Sequence, residues 1–294
     1  MPELPEVETV RRGLEPVMAG VRLSKVEQRR PNLRFPFPDN FVGRTEGQEI
    51  THLGRRAKYL IAELSSGEAL IMHLGMSGRF TIEMPGEWDA SPDQFAHNNA
   101  KATAHDHVVF HLENGVRVTY NDPRRFGFMD LVATDTVAEC RHFAVMGIEP
   151  LGNQLSAAYV AGRAAGRSTD MKAFLLDQRH IAGLGNIYVC EALYRARLDP
   201  RRLAGTLANV KGKPTVRAER LVPLIRDVLN EAIAAGGSTL KDYRAADGAL
   251  GYFQHAFAVY GREGEPCRTE GCRGMVQRIT QAGRSTFFCS RCQK

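Results

Sequence analysis

The chain has 294 residues, enough for two domains and a sizeable buried core. Its net charge of +6 and pI of about 9.1 favour polyanionic partners, although a solvated basic face gives the same count. No apolar run approaches a membrane span and the acidic, Pro-rich start is no signal peptide, so a cytoplasmic protein without membrane contact is expected. In that reducing compartment the six cysteines read as metal ligands or free thiols before disulfides.

The chain opens Met1-Pro2-Glu3-Leu4-Pro5-Glu6. Removal of Met1, which a small second residue allows, would leave Pro2 as a terminal secondary amine. An α-amino group has a pKa near ~8, so an appreciable fraction is neutral and able to attack an electrophilic carbon. Glu3 could then donate a proton to a leaving group. The plainer reading is that Pro2 and Glu3 simply begin a helix. That helix is expected over about 4–15, with Val7, Val10, Leu14 and Val17 at helical spacing and Pro16 and Gly20 disturbing or ending it.

A β-rich stretch follows, over about 21–131. Val21 to Leu23 with Val26, 59–64, 69–74, 107–112 and 116–120 read as strands, the last two around an Asn114-Gly115 hairpin turn. Several short strands at close spacing predict a sandwich or barrel. Residues 83–104 read as a long surface loop. Three polar segments interrupt the strands: Arg55-Arg56-Ala57-Lys58, His73-Leu74-Gly75-Met76-Ser77-Gly78, and Asn121-Asp122-Pro123-Arg124-Arg125-Phe126-Gly127. Singly, Lys58 suits a solvated strand edge, Met76 a core filler and Arg124-Arg125 a surface pair. Together, large side chains on Gly-rich turns suit insertion between base steps of a kinked duplex.

Residues 132–152 read as a connector, and the pattern beyond is helical: 156–163, 171–178, 187–196 and 216–235. Gly183-Leu184-Gly185-Asn186 joins two of these helices, with Asn186 as a candidate N-cap and glycines that let backbone N–H groups approach a phosphate. The helix–turn–helix context is a recurrent DNA-docking arrangement. A glycine-bounded loop from Gly236 to Gly251 reads equally as a lid or a plain connector. Cys267-x4-Cys272 and Cys289-x2-Cys292, sixteen residues apart, match a closed tetrahedral site for one zinc ion. Such a site leaves no position for substrate, so the zinc is structural. The residues between the pairs predict a hairpin turning at Ala282-Gly283. Cys140 and Cys190 read as buried thiols.

Taken in order, Pro2-Glu3-Leu4-Pro5-Glu6-Val7-Glu8-Thr9, Arg55 to Tyr59, His73 to Gly78, Asp122 to Gly127, Gly185-Asn186-Ile187-Tyr188 and the four-cysteine finger make the chain resemble the formamidopyrimidine-DNA glycosylase family over nearly its whole length. The resemblance implies an α+β fold. An N-terminal catalytic β-sandwich with a leading helix (1–135) is joined by a linker (136–152) to a helix–two-turn–helix DNA-binding domain (153–262) and a β-hairpin zinc finger (263–294), with DNA between the two main domains. It implies a bifunctional glycosylase and lyase that excises oxidised purines from double-stranded DNA as a monomer without a small-molecule cofactor. Pro2 is then the nucleophile, Glu3 the proton donor, Lys58 a proton donor in the elimination and a phosphate contact, and Arg284 a participant in the last elimination. Met76, Arg124 and Phe126 fill the gap left by the extruded nucleotide. His105, Arg167, Lys172 and Asn186 fall where the family contacts the DNA backbone, and 237–251 at the lid. The related endonuclease VIII family resembles the chain in architecture but typically carries Gly at the place of Leu4. A zinc-ribbon DNA-binding protein without activity would share the finger and the basic charge and need no free Pro2 amine.

Overall fold

The computed structural model describes residues 2–85, 104–238 and 251–294. Two units form: Met1–Ala144 with Gly236–Tyr252, and Val145–Ala235 with Phe253–Lys294. The finger segment, set apart in the sequence reading, thus groups with the helices, and a short return of chain groups with the sandwich. Most of the predicted 83–104 loop and the interior of 237–251 lie outside the described residues.

In the first unit, α1 (Leu4–Met18) begins at Glu3, whose N–H donates to Glu6 Oε2 at 2.8 Å in a capping box. Leu4, Val7, Val10, Leu14 and Met18 form one buried stripe. The helix runs past Pro16, contrary to the sequence expectation. Pro16 lies on the exposed side, where water can serve the carbonyl it leaves unpaired, while Val17 and Met18 still reach the core. The stop comes at Gly20, at φ +74, whose N–H bonds Ile50 O.

Eight antiparallel strands follow: β1 (Val21–Gln28), β2 (Glu49–Arg56), β3 (Tyr59–Leu64), β4 (Glu68–His73), β5 (Arg79–Glu83), β6 (Asp106–Leu112), β7 (Arg117–Asn121) and β8 (Phe128–Ala133), with a short helix α2 (Phe41–Thr45) between β1 and β2. Their order is β5-β7-β6-β1-β2-β3-β4-β8. β1 is shared: Val21 and Arg22 pair with β2, and Leu23 to Gln28 pair with β6. The ladder therefore consists of two runs joined at β1. Leu53, Leu60 and Leu70 from one run share a core with Phe80, Val108 and Val118 from the other, and with the α1 stripe. This is the expected sandwich.

The second unit contains α3 (Ala157–Ala164), α4 (Met171–Leu176), α5 (Asn186–Arg195) and α6 (Val216–Ala234), then the hairpin β9 (Gln277–Gln281) and β10 (Arg284–Phe288). Ser156 caps α3 through Tyr159 N–H, and Asp170 caps α4 through Ala173 N–H. Two turns separate α4 from α5. Gln178 holds the second by accepting from Gly183 N–H and donating to Leu184 O, both at 2.8 Å. No described helix is long and apolar enough to cross a membrane.

Candidate active site

The start of the chain is firmly held. Pro2 is buried, and Glu3 and Glu6 are 3% and 1% exposed. The Glu6 carboxylate accepts hydrogen bonds from Glu3 N–H at 2.8 Å, Ser238 N–H at 2.8 Å and Ser238 Oγ at 2.9 Å. Ser238 lies 232 residues away in sequence and also pairs with Tyr252, so both ends of the glycine-bounded segment meet beside the α1 N-terminus. Gly251 lies so close to Gly237 O that a Cβ there would stand 2.3 Å from it. The positive end of the α1 dipole lies here, where the Glu6 carboxylate takes up the Glu3 N–H.

Lys58 stands in the β2–β3 hairpin. Arg56 pairs with Tyr59, so Ala57 and Lys58 alone form the turn, and Ala57 takes φ +53. Lys58 is 9% exposed. Its charge acts on His73, whose pKa falls to about 4, first through burial and then through that cation. His73 is accordingly neutral near pH 7 and accepts Gly75 N–H at Nδ1, 3.0 Å away. It stacks on Phe128, with ring centroids 5.3 Å apart.

The two Gly-rich turns after β4 and β7 are built around Asp122, which is wholly buried. Its carboxylate accepts from Ser77 Oγ at 2.6 Å, Gly127 N–H at 2.8 Å and Tyr120 Oη at 3.3 Å. Its backbone N–H bonds His105 O, and its carbonyl lies 2.9 Å from His107 Nε2. Held this way, Met76, Arg124 and Phe126 line one pocket of about 590 Å³ with Asn32, Arg34 and His73. The Arg124 guanidinium lies over the Phe126 ring at 4.9 Å, and both side chains are exposed. His105, half-buried, joins this constellation through its carbonyl. Asp122, Ser77 and Arg34 were not singled out from sequence. The basic run Arg29-Arg30-Pro31-Asn32-Leu33-Arg34 was the available signal for Arg34.

A side chain at Gly75 would bring Cβ within 2.3 Å of Gly127 N and Phe126 C, and its φ of +62 is already left-handed. Gly75→Ala should therefore force the two turns apart, destabilising the protein by roughly 2–4 kcal/mol in urea titration. Affinity for lesion-containing duplex should fall with it.

In the second unit, Asn186 is not the N-cap. Gly185 is, without a side-chain bond, and Asn186 is the first helical residue. Its amide is drawn to the hairpin, where Nδ2 donates to Ser285 O at 2.9 Å. Lys172 is 0% exposed, its Nζ donating to Ser285 O at 3.0 Å and Thr286 Oγ1 at 2.6 Å. Both residues therefore hold the strand next to Arg284, which is exposed and follows the left-handed turn Ala282-Gly283. Arg167 is exposed, with its Nε bonded to Arg163 O.

Cys267, Cys272, Cys289 and Cys292 bring their sulfurs within 4.8 Å of one another. Cys267 and Cys292 Sγ are 3.4 Å apart, and Cys272 and Cys289 Sγ 3.8 Å. A tetrahedron of ~2.3 Å Zn–S bonds has edges of about 3.8 Å. Thr269 N–H points at Cys267 Sγ and Gly274 N–H at Cys272 Sγ. A Cβ on Gly274 would lie 2.7 Å from Cys289 Sγ, so only glycine leaves the sulfur its place. The donor set fits one zinc ion, with no fifth position for substrate.

The sandwich led by a capped helix, the helix–two-turn–helix unit and the four-cysteine finger each match a domain of one class of DNA-repair enzyme. Residues 1–129 match the formamidopyrimidine-DNA glycosylase N-terminal domain, 146–244 its H2TH domain, and 264–294 the zinc finger found in FPG and IleRS. The chain belongs to the formamidopyrimidine-DNA glycosylase family. It is 62% identical to the formamidopyrimidine-DNA glycosylase of Beijerinckia indica over all of both chains. Among solved structures it is similar to the MutM (Fpg) protein of Thermus thermophilus, with TM-score 0.81 and 38% identity over 99% of this chain and 98% of that one. It is also similar to a Lactococcus lactis FPG variant in complex with Fapy-dG containing DNA, with TM-score 0.83 and 32% identity over all of both chains.

Proposed function

We propose that the protein excises oxidised purines, 8-oxoguanine and formamidopyrimidines, from duplex DNA and then cleaves the strand on both sides of the vacant sugar. The observation that carries this reading is the lock on the chain start. Glu3 caps α1 and Glu6 anchors it, so the nitrogen of Pro2 is fixed at the positive end of a helix.

A base inside a duplex is out of reach, so the nucleotide must be extruded, at a cost of about a few kcal/mol. Met76, Arg124 and Phe126 occupy the vacancy and hold the bend, with Arg124 toward the orphaned cytosine. Once Met1 is gone, the Pro2 nitrogen bonds to C1′ and gives up its proton as the C1′–N bond to the base breaks, and the departing base takes up a proton. The C1′–O4′ bond then opens, Glu3 supplying the proton to O4′, which leaves an iminium between Pro2 and C1′. That iminium acidifies the neighbouring sugar hydrogens. The phosphate on the 3′ side leaves first and that on the 5′ side second, with Lys58 and Arg284 assisting. His105, Arg167 and Asn186 grip backbone phosphates, while Lys172 keeps the Arg284 strand in place. Every proton moves through a protein group, so the chemistry needs no small-molecule cofactor. Zinc, held by the four cysteines, keeps the finger folded. Base excision belongs to 1–135, which also carries the wedge; 153–262 and 263–294 dock the DNA, with Arg284 of the latter assisting the elimination, and the protein works as a monomer in the cytoplasm, where its thiols stay reduced.

The test is a panel of duplexes carrying 8-oxoguanine opposite cytosine, a formamidopyrimidine, or thymine glycol. The two purine lesions should be excised at least about tenfold faster in single turnover, a difference of ~1.4 kcal/mol in barrier. Faster removal of thymine glycol would reassign the protein to oxidised pyrimidines, as in the endonuclease VIII family.

A further inference from the structure

Arg55 stands outside the chemistry proposed above, yet it joins the two elements that carry it. Its Nε donates to Glu8 Oε2 at 2.9 Å, and Glu8 sits in the second turn of α1, the helix that begins at Glu3. Its Nη1 donates to Ala57 O, also at 2.9 Å. That carbonyl belongs to the peptide linking Ala57 to Lys58. One planar guanidinium therefore fixes both the helix bearing Pro2 and the orientation of the peptide from which Lys58 departs. The side chains of Arg55 and Glu8 are only 10% and 11% exposed, so solvent screens this link little.

The turn needs such a hold. It has two residues, and Ala57 sits in the left-handed region at φ +53, where glycine or asparagine is the ordinary occupant. Ala57 is also buried, so the turn cannot relax outward. An alanine kept in this conformation persists only where the surroundings over-determine it.

We propose that Arg55 is a positioning residue, which sets the place of the Lys58 ammonium relative to the Pro2 nitrogen by holding the Ala57–Lys58 peptide against α1. This rests on the role given to Lys58 above. Loss of Arg55 need not unfold the protein, because Glu8 keeps Arg11 at 3.1 Å and Arg12 at 2.9 Å and is left paired.

The test is a double-mutant cycle in the full zinc-loaded chain, read by single-turnover strand cleavage at saturating enzyme, by affinity for an uncleavable abasic duplex and by thermal midpoint. Arg55→Ala should slow cleavage about 10- to 100-fold, as a misplaced group does, with a much smaller change in affinity. Arg55→Lys keeps the charge but lacks the fork that reaches both partners, and it should be slowed too while folding as the unmodified chain does. Arg55→Ala with Lys58→Ala should be no slower than Lys58→Ala alone, within about twofold. Losses that multiply in the double variant, or an Arg55→Lys variant at full rate while Lys58→Ala is slow, overturn the positioning role and leave Lys58 in its place. A Lys58→Ala variant at full rate removes the role of Lys58 itself, and this proposal with it.

Discussion

A chain carrying one extra residue ahead of Pro2 should lose base excision and borohydride trapping by at least about a thousandfold, while still binding lesion-containing DNA. The extension turns the Pro2 nitrogen into a tertiary amide whose lone pair is delocalised into the carbonyl and cannot attack C1′, and removal of a nucleophile costs about six orders of magnitude where it has been dissected. The expected loss is in the rate at saturating enzyme, because the groups proposed to hold the duplex are left untouched. Glu3 and Glu6 should still cap α1, since their contacts involve the Glu3 N–H and the Ser238 backbone and hydroxyl. A thermal midpoint close to that of the unmodified chain is therefore part of the prediction. An extended chain that excises and traps at an undiminished rate would return Pro2 and Glu3 to the plainer role of starting a helix.

The second large effect concerns the finger. Cys289→Ser should abolish the single bound zinc and weaken DNA binding at least about a hundredfold, or ~2.7 kcal/mol. Cys289 has two structural duties. Its sulfur lies 3.8 Å from that of Cys272, and its N–H donates at 2.8 Å to Gln293 Oε1, whose side chain in turn bonds Leu198 O. Structural zinc contributes about 10–16 kcal/mol to small finger folds, so the hairpin should not outlast its metal. Arg284 stands on that hairpin, and Lys172 and Asn186 would lose the Ser285 carbonyl they share. The salt dependence should report the same event. Every phosphate that the hairpin no longer neutralises lowers the slope of log affinity against log salt by about 0.9. Zinc measured by a colorimetric chelator, beside affinity across a salt series, checks both parts. A zinc-free variant binding with the original affinity and slope would remove the finger from the DNA-binding surface.

Much of this architecture was legible because local chemistry agreed with the final fold. Ser156 and Asp170 cap their helices with the bonds such residues are expected to make. Asn114-Gly115 and Ala282-Gly283 turn where the sequence indicates, with Gly115 at φ +80 and Gly283 at φ +71. The four cysteines converge as their spacing requires. What stayed hidden depends on contacts between residues far apart in the chain. β2 was missed because its buried positions do not alternate and it ends in Gly54-Arg55-Arg56. β8 was missed because Asp130 interrupts a short apolar run. No periodicity ties Glu6 to Ser238, or makes Asp122 the hub of two turns. Lys172 is the clearest case. The family resemblance puts it among the contacts to the DNA backbone, while in the fold its stem is buried and its ammonium bonds Ser285 and Thr286 more than a hundred residues on. Asn186 misled in a similar way, since a good capping residue in the right place was drawn to the hairpin and Gly185 took the cap.

The most direct measurement is the site of the covalent bond. Borohydride reduction during turnover on an 8-oxoguanine duplex, followed by nuclease and protease digestion and mass spectrometry, locates the sugar remnant on the chain. The remnant should lie on the nitrogen of Pro2, in a peptide from which Met1 is missing. A remnant on the side-chain amine of Lys58 or another lysine, or a trapped chain that still carries Met1, would contradict the account.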